Sequence, residues 1–217
     1  MHALYRIYIL KKSLFIVIEG LDGSGKTTAG KRLAESQHPL LRDRVKFTYE
    51  PNDPSAGGEF IRQILRKEIT RFHPRVLAYA FAANRLDHNY RLINPWLEKN
   101  GNILLSDRYY LSSLVYQSSE DFPMERVMEL NELARRPDLI FFVNVTNETC
   151  YTRLAKRDQP RELFEGNLTQ TRTKFMQAIN FLRLTRRENI VEIDGNGTVE
   201  ETVRQMQEAI IALSKSA

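Results

Sequence analysis

The segment Gly20-Leu21-Asp22-Gly23-Ser24-Gly25-Lys26-Thr27-Thr28 constrains the fold of this chain more than any other. It fits G-x-x-x-x-G-K-[ST] and stands between a continuous apolar run, residues 14–18, and a stretch with helical apolar spacing, residues 26–36. A strand, a glycine-rich turn and a helix in that order form a phosphate-binding loop, or P-loop. Glycines let the backbone curl closely around phosphates. The inward N–H groups and the helix N-terminus supply partial positive charge. Lys26 is placed to reach the β- and γ-phosphates of a nucleotide such as ATP, and the Thr27 hydroxyl to ligate Mg²⁺. A P-loop serves GTPases, motors, DNA-binding ATPases and kinases alike, so the rest of the chain must decide the reaction.

Further apolar runs at residues 103–105 and 139–145 read as buried strands, and residues 45–49 and 190–193 as weaker ones. Helical patterns lie between them at residues 58–69, 76–99, 168–187 and 199–213; Pro95 should kink the second of these. This alternation predicts an α/β fold with a parallel sheet of about five strands and crossover helices. No low-complexity linker or repeat divides the chain, so its 217 residues read as one domain.

Composition narrows the function classes. One cysteine, Cys150, excludes an internal disulfide framework and a Cys-rich metal site. The histidines His2, His38, His73 and His88 show no metal-ligand spacing. Residues 1–12 read as an extension and not a signal peptide, because Arg6, Lys11 and Lys12 break the apolar stretch. No apolar run is long enough to span a bilayer, and we expect a cytoplasmic protein with no membrane partner. The net charge of +5 fits either a basic surface or anion binding. The basic residues gather at residues 153–166 and in the late helix and not along an aromatic–basic surface, which argues against a nucleic-acid partner.

Three segments point to a second nucleotide site. Phe81 and Arg85, in Phe81-Ala82-Ala83-Asn84-Arg85-Leu86-Asp87-His88, share a helix face and pair an aromatic plane with a guanidinium. Asp107-Arg108-Tyr109 follows a buried strand and runs into Ser112-Ser113-Leu114-Val115-Tyr116-Gln117, where open α/β sheets bind ligands. Asp107 can hold a proton or magnesium-bound water there, and Arg108 can clamp a phosphate. Arg153, Lys156, Arg157, Asp158, Arg161 and Glu162 crowd residues 153–166, a candidate lid whose arginines suit a transferring phosphoryl group.

In order and spacing these motifs resemble the thymidylate kinases over nearly the whole chain from about Leu14. The P-loop is similar to that family's G-x-[DE]-G-x-G-K-[ST]-T, residues 81–88 to F-A-x-[DN]-R-x-x-H, and residues 107–117 to D-R-[YFH]-x-x-S-x-x-A-Y-Q, with Val115 in place of Ala. The resemblance implies a three-layer α/β/α P-loop kinase fold, ATP as donor, thymidylate (dTMP) as acceptor, Mg²⁺ as cofactor and a homodimer with the helix at residues 76–99 at its interface. It implies that Phe81 stacks on thymine, that Arg85 and Gln117 fix the base, and that Ser113 and Tyr116 lie near base and sugar. Asp22 would sit near the deoxyribose or acceptor phosphate, Arg108 would bridge both phosphates, and Asp107 would support Mg²⁺. The P-loop carries no arginine before Lys26, so the resemblance assigns the catalytic arginine to the lid, at Arg157 or Arg161.

The chain departs from the pattern in three places. Tyr49-Glu50-Pro51 stands where R-E-P is usual, Asn52-Asp53-Pro54 replaces Gly-Gly-Thr, and Arg161-Glu162-Leu163-Phe164-Glu165 replaces D-R-[FI]-E. These changes bear on the acceptor side and leave the donor side intact. Three alternatives stay open: another nucleotide or nucleoside kinase, a nucleotide-binding relative without catalysis, and, ranked low, a nucleic-acid-dependent ATPase. A nucleoside kinase would need a base, for which Glu19 is one candidate.

Overall fold

The computed structural model describes residues 12–53, 56–156 and 167–216, apart from the side chains of 56, 215 and 216. The candidate lid arginines Arg157 and Arg161, and the first eleven residues of the expected extension, lie outside these. Five strands form one parallel sheet: β1 (Leu14–Gly20), β2 (Val45–Tyr49), β3 (Ile103–Asp107), β4 (Leu139–Asn144) and β5 (Ile190–Asp194). Their order is β2-β3-β1-β4-β5. The three central strands are the continuous apolar runs, and β1 and β3 are buried along their whole length, as strands covered on both faces must be. Connections leave β1 first toward β2 and β3 and later toward β4 and β5. The crevice over the carboxyl end of β1 is therefore a topological switch point, where α/β folds bind ligands.

The pleat of β1 separates two helical layers. Ile18 points toward α1 (Lys26–Ala34): a Cβ on Gly30 would lie 2.9 Å from Ile18 Cδ1. Only glycine lets helix and sheet approach this closely. Phe15 and Glu19 point to the opposite face, where Phe15 meets Tyr109 edge-on at 5.0 Å. On this face Phe142 of β4 packs at 5.4 Å on Phe175 of a long helix, Leu168–Arg186.

The other helices are α2 (Ala56–Leu65), α3 (Pro74–His88), α4 (Asn94–Leu97), α5 (Tyr110–Gln117), α6 (Met124–Leu130), α7 (Asn147–Ala155), α8 (the Leu168–Arg186 helix) and α9 (Val199–Ser216). The helix expected over residues 76–99 is interrupted. A π-helical turn, Asn89–Ile93, separates α3 from α4, and the Asn94 N–H bonds to the Asn89 carbonyl. Pro95 causes this. It has no N–H to offer the carbonyl four residues back, and its ring would press on that turn, so the helix widens instead of continuing.

Candidate functional site

The loop between β1 and α1 turns through two glycines in left-handed conformation. Gly25, φ 86°, caps α1. Gly23, φ 82°, sits where a Cβ would come within 2.6 Å of the Cys150 carbonyl on α7. Any side chain at Gly23 would push the loop off α7. Gly20 ends β1, and the buried Leu21 places its carbonyl inward to accept from Ser24 N at 3.1 Å and Lys26 Nζ at 3.3 Å. Lys26 also lies 3.5 Å from Asp22. Thr27 donates its hydroxyl hydrogen to Asp107 Oδ2 at the end of β3. Asp107 Oδ1 and Ser24 Oγ are buried with no hydrogen-bond partner among the described residues.

Two cavities flank this loop. The first, lined by Gly23, Ser24, Gly25, Thr28 and the loop at residues 195–198, lies against α9. Arg153 of α7 closes one wall, donating to the carbonyls of Ser24 at 3.2 Å, Gly195 at 3.0 Å and Gly197 at 3.4 Å. Of the segment read as a lid, Arg153–Ala155 therefore belong to α7, and residues 157–166 lie outside the described residues.

The second cavity encloses about 550 Å³, counting its open mouth, and brings Asp22, Phe81, Arg85, Arg108, Ser113, Tyr116 and Gln117 together. Arg108 sits at φ 71°, sterically costly for a side-chain-bearing residue, which aims its guanidinium back at the P-loop. There it pairs with Asp22, donates to Ser112 Oγ at 2.9 Å and lies 5.4 Å from the Tyr116 ring centre. Burial opposes its charge, but Asp22 foremost, with Tyr116, Asp107 and Glu19, holds its pKa well above the ordinary arginine value. Burial also pushes the Tyr116 phenol up. Arg85 is fully buried, donating to Glu50 Oε2 at 2.7 Å and to Asn131, with the Tyr109 ring 5.0 Å away. Ser113 Oγ and Gln117 Oε1 are buried with no hydrogen-bond partner among the described residues, an arrangement that suits polar edges of a ligand.

A thymidylate kinase family model matches residues 18–206. The chain belongs to the thymidylate kinase family. It is 33% identical over 197 residues to a probable thymidylate kinase of Caldivirga maquilingensis, covering 89% of this chain and 91% of that one. A thymidylate kinase of Ureaplasma parvum is 31% identical over 214 residues, covering 95% and 93%. In fold the chain is similar to the thymidylate kinase of Candida albicans, with TM-score 0.71 at 23% identity, covering 93% of this chain and 92% of that one. Phosphorylation of dTMP is the family function, and the chain is a phosphotransferase of this family.

Glu19 needs a correction. The sequence offers it as a base for a nucleoside kinase, but it is absent from the lining of the second cavity. Fully buried on β1, it accepts from Tyr109 N at 2.9 Å, Ser112 N at 3.1 Å and Ser112 Oγ at 2.6 Å. It is thus spent on the N-terminus of α5, whose unsatisfied N–H groups and dipole it serves from a neighbouring strand. Burial raises its pKa, partly offset by Arg108 and these hydrogen bonds.

One site-lining arginine has no role assigned from the sequence, and another lies elsewhere than the sequence suggests. Arg62 on α2 lines the second cavity. It adjoins Ile61 in sequence, but successive residues lie about 100° apart on a helix, so Arg62 falls off the stripe of Phe60, Ile61, Ile64 and Leu65 and the local pattern carries no signal for it. The sequence groups Arg153 with the candidate lid; the structure places it on α7, where its partners are loop carbonyls, one of them 129 residues away, a pairing no local pattern signals.

Proposed function

We propose that this protein transfers the γ-phosphate of ATP to the 5′-phosphate of thymidylate, giving dTDP and ADP. The observation that carries this reading is a charge cluster on the P-loop itself: Asp22, which lines the second cavity, pairs with both Lys26 and Arg108, and the next three residues, Gly23 to Gly25, line the first cavity. A polyanion in each cavity would face these two cations. ATP occupies the P-loop, with its base toward residues 195–198. Thymidylate occupies the other cavity, with thymine on Phe81, its edges toward Arg85, Ser113 and Gln117, and Tyr116 beside base and sugar.

The acceptor oxygen is already anionic, so transfer needs no strong base. The oxygen forms a bond to the γ-phosphorus as the bridging P–O bond breaks, and ADP leaves with that electron pair. Catalysis is positioning and charge neutralisation. Lys26 and Arg108 hold donor and acceptor phosphates, Arg62 adds positive charge at the acceptor side, and Arg157 or Arg161 supplies the lid cation.

Magnesium fits the residues present. Thr27 and Asp107 offer two hard oxygen donors, one of them the unpartnered Asp107 Oδ1. No group of three His, Cys, Asp or Glu gathers among the described residues, which suits an ion held mainly by substrate phosphates and water. Bound there, the ion would neutralise phosphate charge.

The same reading makes the chain one domain that works in the cytoplasm without nucleic acid. No helix among the described residues is long and apolar enough to cross a membrane. A homodimer is supported by Val76, Tyr79 and Tyr90, large apolar side chains exposed on α3 and the π-helical turn. The test of the reaction is product identification: ATP, Mg²⁺ and dTMP incubated with the protein should yield dTDP and ADP in equal amounts. Appearance of ADP and inorganic phosphate alone would contradict transfer.

A further inference from the structure

Two residues at which this chain departs from its family meet on one side of a third. Tyr49, the last residue of β2, donates its phenolic hydrogen to Asp53 Oδ2 at 2.9 Å. The other Asp53 oxygen accepts from Arg62 Nε at 2.7 Å. Arg62 also donates through Nη2 to the Pro51 carbonyl at 3.2 Å, and its guanidinium carbon lies 5.7 Å from the centre of the Tyr49 ring. Arg62 lines the acceptor-side cavity; Tyr49 and Asp53 do not.

We propose that Tyr49 and Asp53 are positioning residues that hold Arg62 ready for the acceptor phosphate, replacing the cation the family motif carries at position 49 by a bracket for a different cation. This rests on the reading that thymidylate fills that cavity. An arginine side chain has many rotamers, and freezing one opposes binding. Here a carboxylate fixes the Nε edge, a carbonyl fixes one Nη, and the ring lies against the guanidinium, so ordering precedes the arrival of the nucleotide. Asp53 also offsets part of the charge of Arg62. Side-chain exposures of 40% for Asp53 and 20% for Arg62 let solvent screen that term, so the geometric effect prevails. Tyr49 acts one step further out, fixing the carboxylate that fixes the arginine.

Steady-state kinetics with each substrate varied in turn tests this. Asp53→Asn should raise KM for dTMP about fivefold, with kcat and KM for ATP changed by less than about twofold, the scale of one partly exposed charged hydrogen bond. Tyr49→Phe should raise KM for dTMP about twofold, and the double variant should match Asp53→Asn alone, because Tyr49 acts through Asp53. Arg62→Ala is the control and should raise KM for dTMP at least about tenfold. An impaired Arg62→Ala beside an unchanged or improved KM in Asp53→Asn, or additive effects in the double variant, would overturn the inference alone. An unchanged KM in Arg62→Ala would overturn the placement of thymidylate and this inference together.

Discussion

Asp107 accepts the Thr27 hydroxyl through one oxygen and keeps the other, Oδ1, buried with no hydrogen-bond partner among the described residues. A buried carboxylate oxygen is rarely left so unless something else meets it. Asp107→Asn keeps the shape and removes the charge. It should raise the Mg²⁺ concentration needed for half-maximal turnover by about 10- to 100-fold, the usual effect of disturbing a group that holds or orients a metal. A magnesium titration of kcat checks this, and an unchanged midpoint would remove Asp107 from the metal site.

Lys26 is buried and folded back onto Leu21 and Asp22, contacts that a nucleotide phosphate can replace. Lys26→Ala should lower kcat by about 10²- to 10³-fold, as removal of a charge-stabilising group at a reacting centre does. Near-native turnover in this variant would mean that the P-loop assignment is wrong.

Much of this site is legible in the sequence because it is built from contiguous motifs. Lys26, Thr27, Asp107 and Arg108 converge because the parallel register sets Ile18 opposite Asp107, bringing the ends of β1 and β3 side by side. Helix α5 is less legible. Residues 110–115 are all buried, so the segment shows no apolar stripe with a polar back, and its start is fixed by Glu19, 93 residues before Ser112. The interruption at Asn89–Ile93 was foreshadowed by Pro95, but whether a proline kinks or widens a helix depends on packing that the local sequence does not carry. The bracket of Tyr49, Asp53 and Arg62 is visible only once β2 and α2 are folded together.

Glu19→Gln tests the structural role of that residue. One carboxylate oxygen would become an NH₂ group facing the Ser112 hydroxyl or the α5 N–H groups, which should cost about 1–3 kcal/mol of stability. The effect should depend on pH. Burial raises the Glu19 pKa in the folded protein above its ordinary value of 4.5, so the folded state holds this proton more tightly than the unfolded chain. That contribution is fully present below pH 4.5 and fades as pH rises through the folded value. The Tm advantage of the native chain over Glu19→Gln should therefore narrow as pH rises above 4.5. A gap that widens would contradict the direction of the shift.

Arg153 ties the P-loop to the loop at residues 195–198 through three carbonyl groups. Arg153→Ala should loosen the donor cavity and raise KM for ATP about tenfold, the loss of a charge-assisted set of hydrogen bonds, while KM for dTMP changes little. Equal effects on both substrates would assign Arg153 to general stability and not to the donor site.

Transfer to thymidylate can be read as ADP release with ATP and Mg²⁺ against a panel of acceptors: dTMP, dUMP, AMP, GMP, CMP and the nucleoside thymidine. The arrangement of Phe81, Arg85, Arg108 and Gln117 predicts selective turnover of dTMP and none of thymidine, because the two carboxylates lining the cavity are engaged by cations, Asp22 by Lys26 and Arg108 and Glu50 by Arg85. Preferred turnover of thymidine or of a purine monophosphate, or ATP binding with no transfer to any of them, would contradict it.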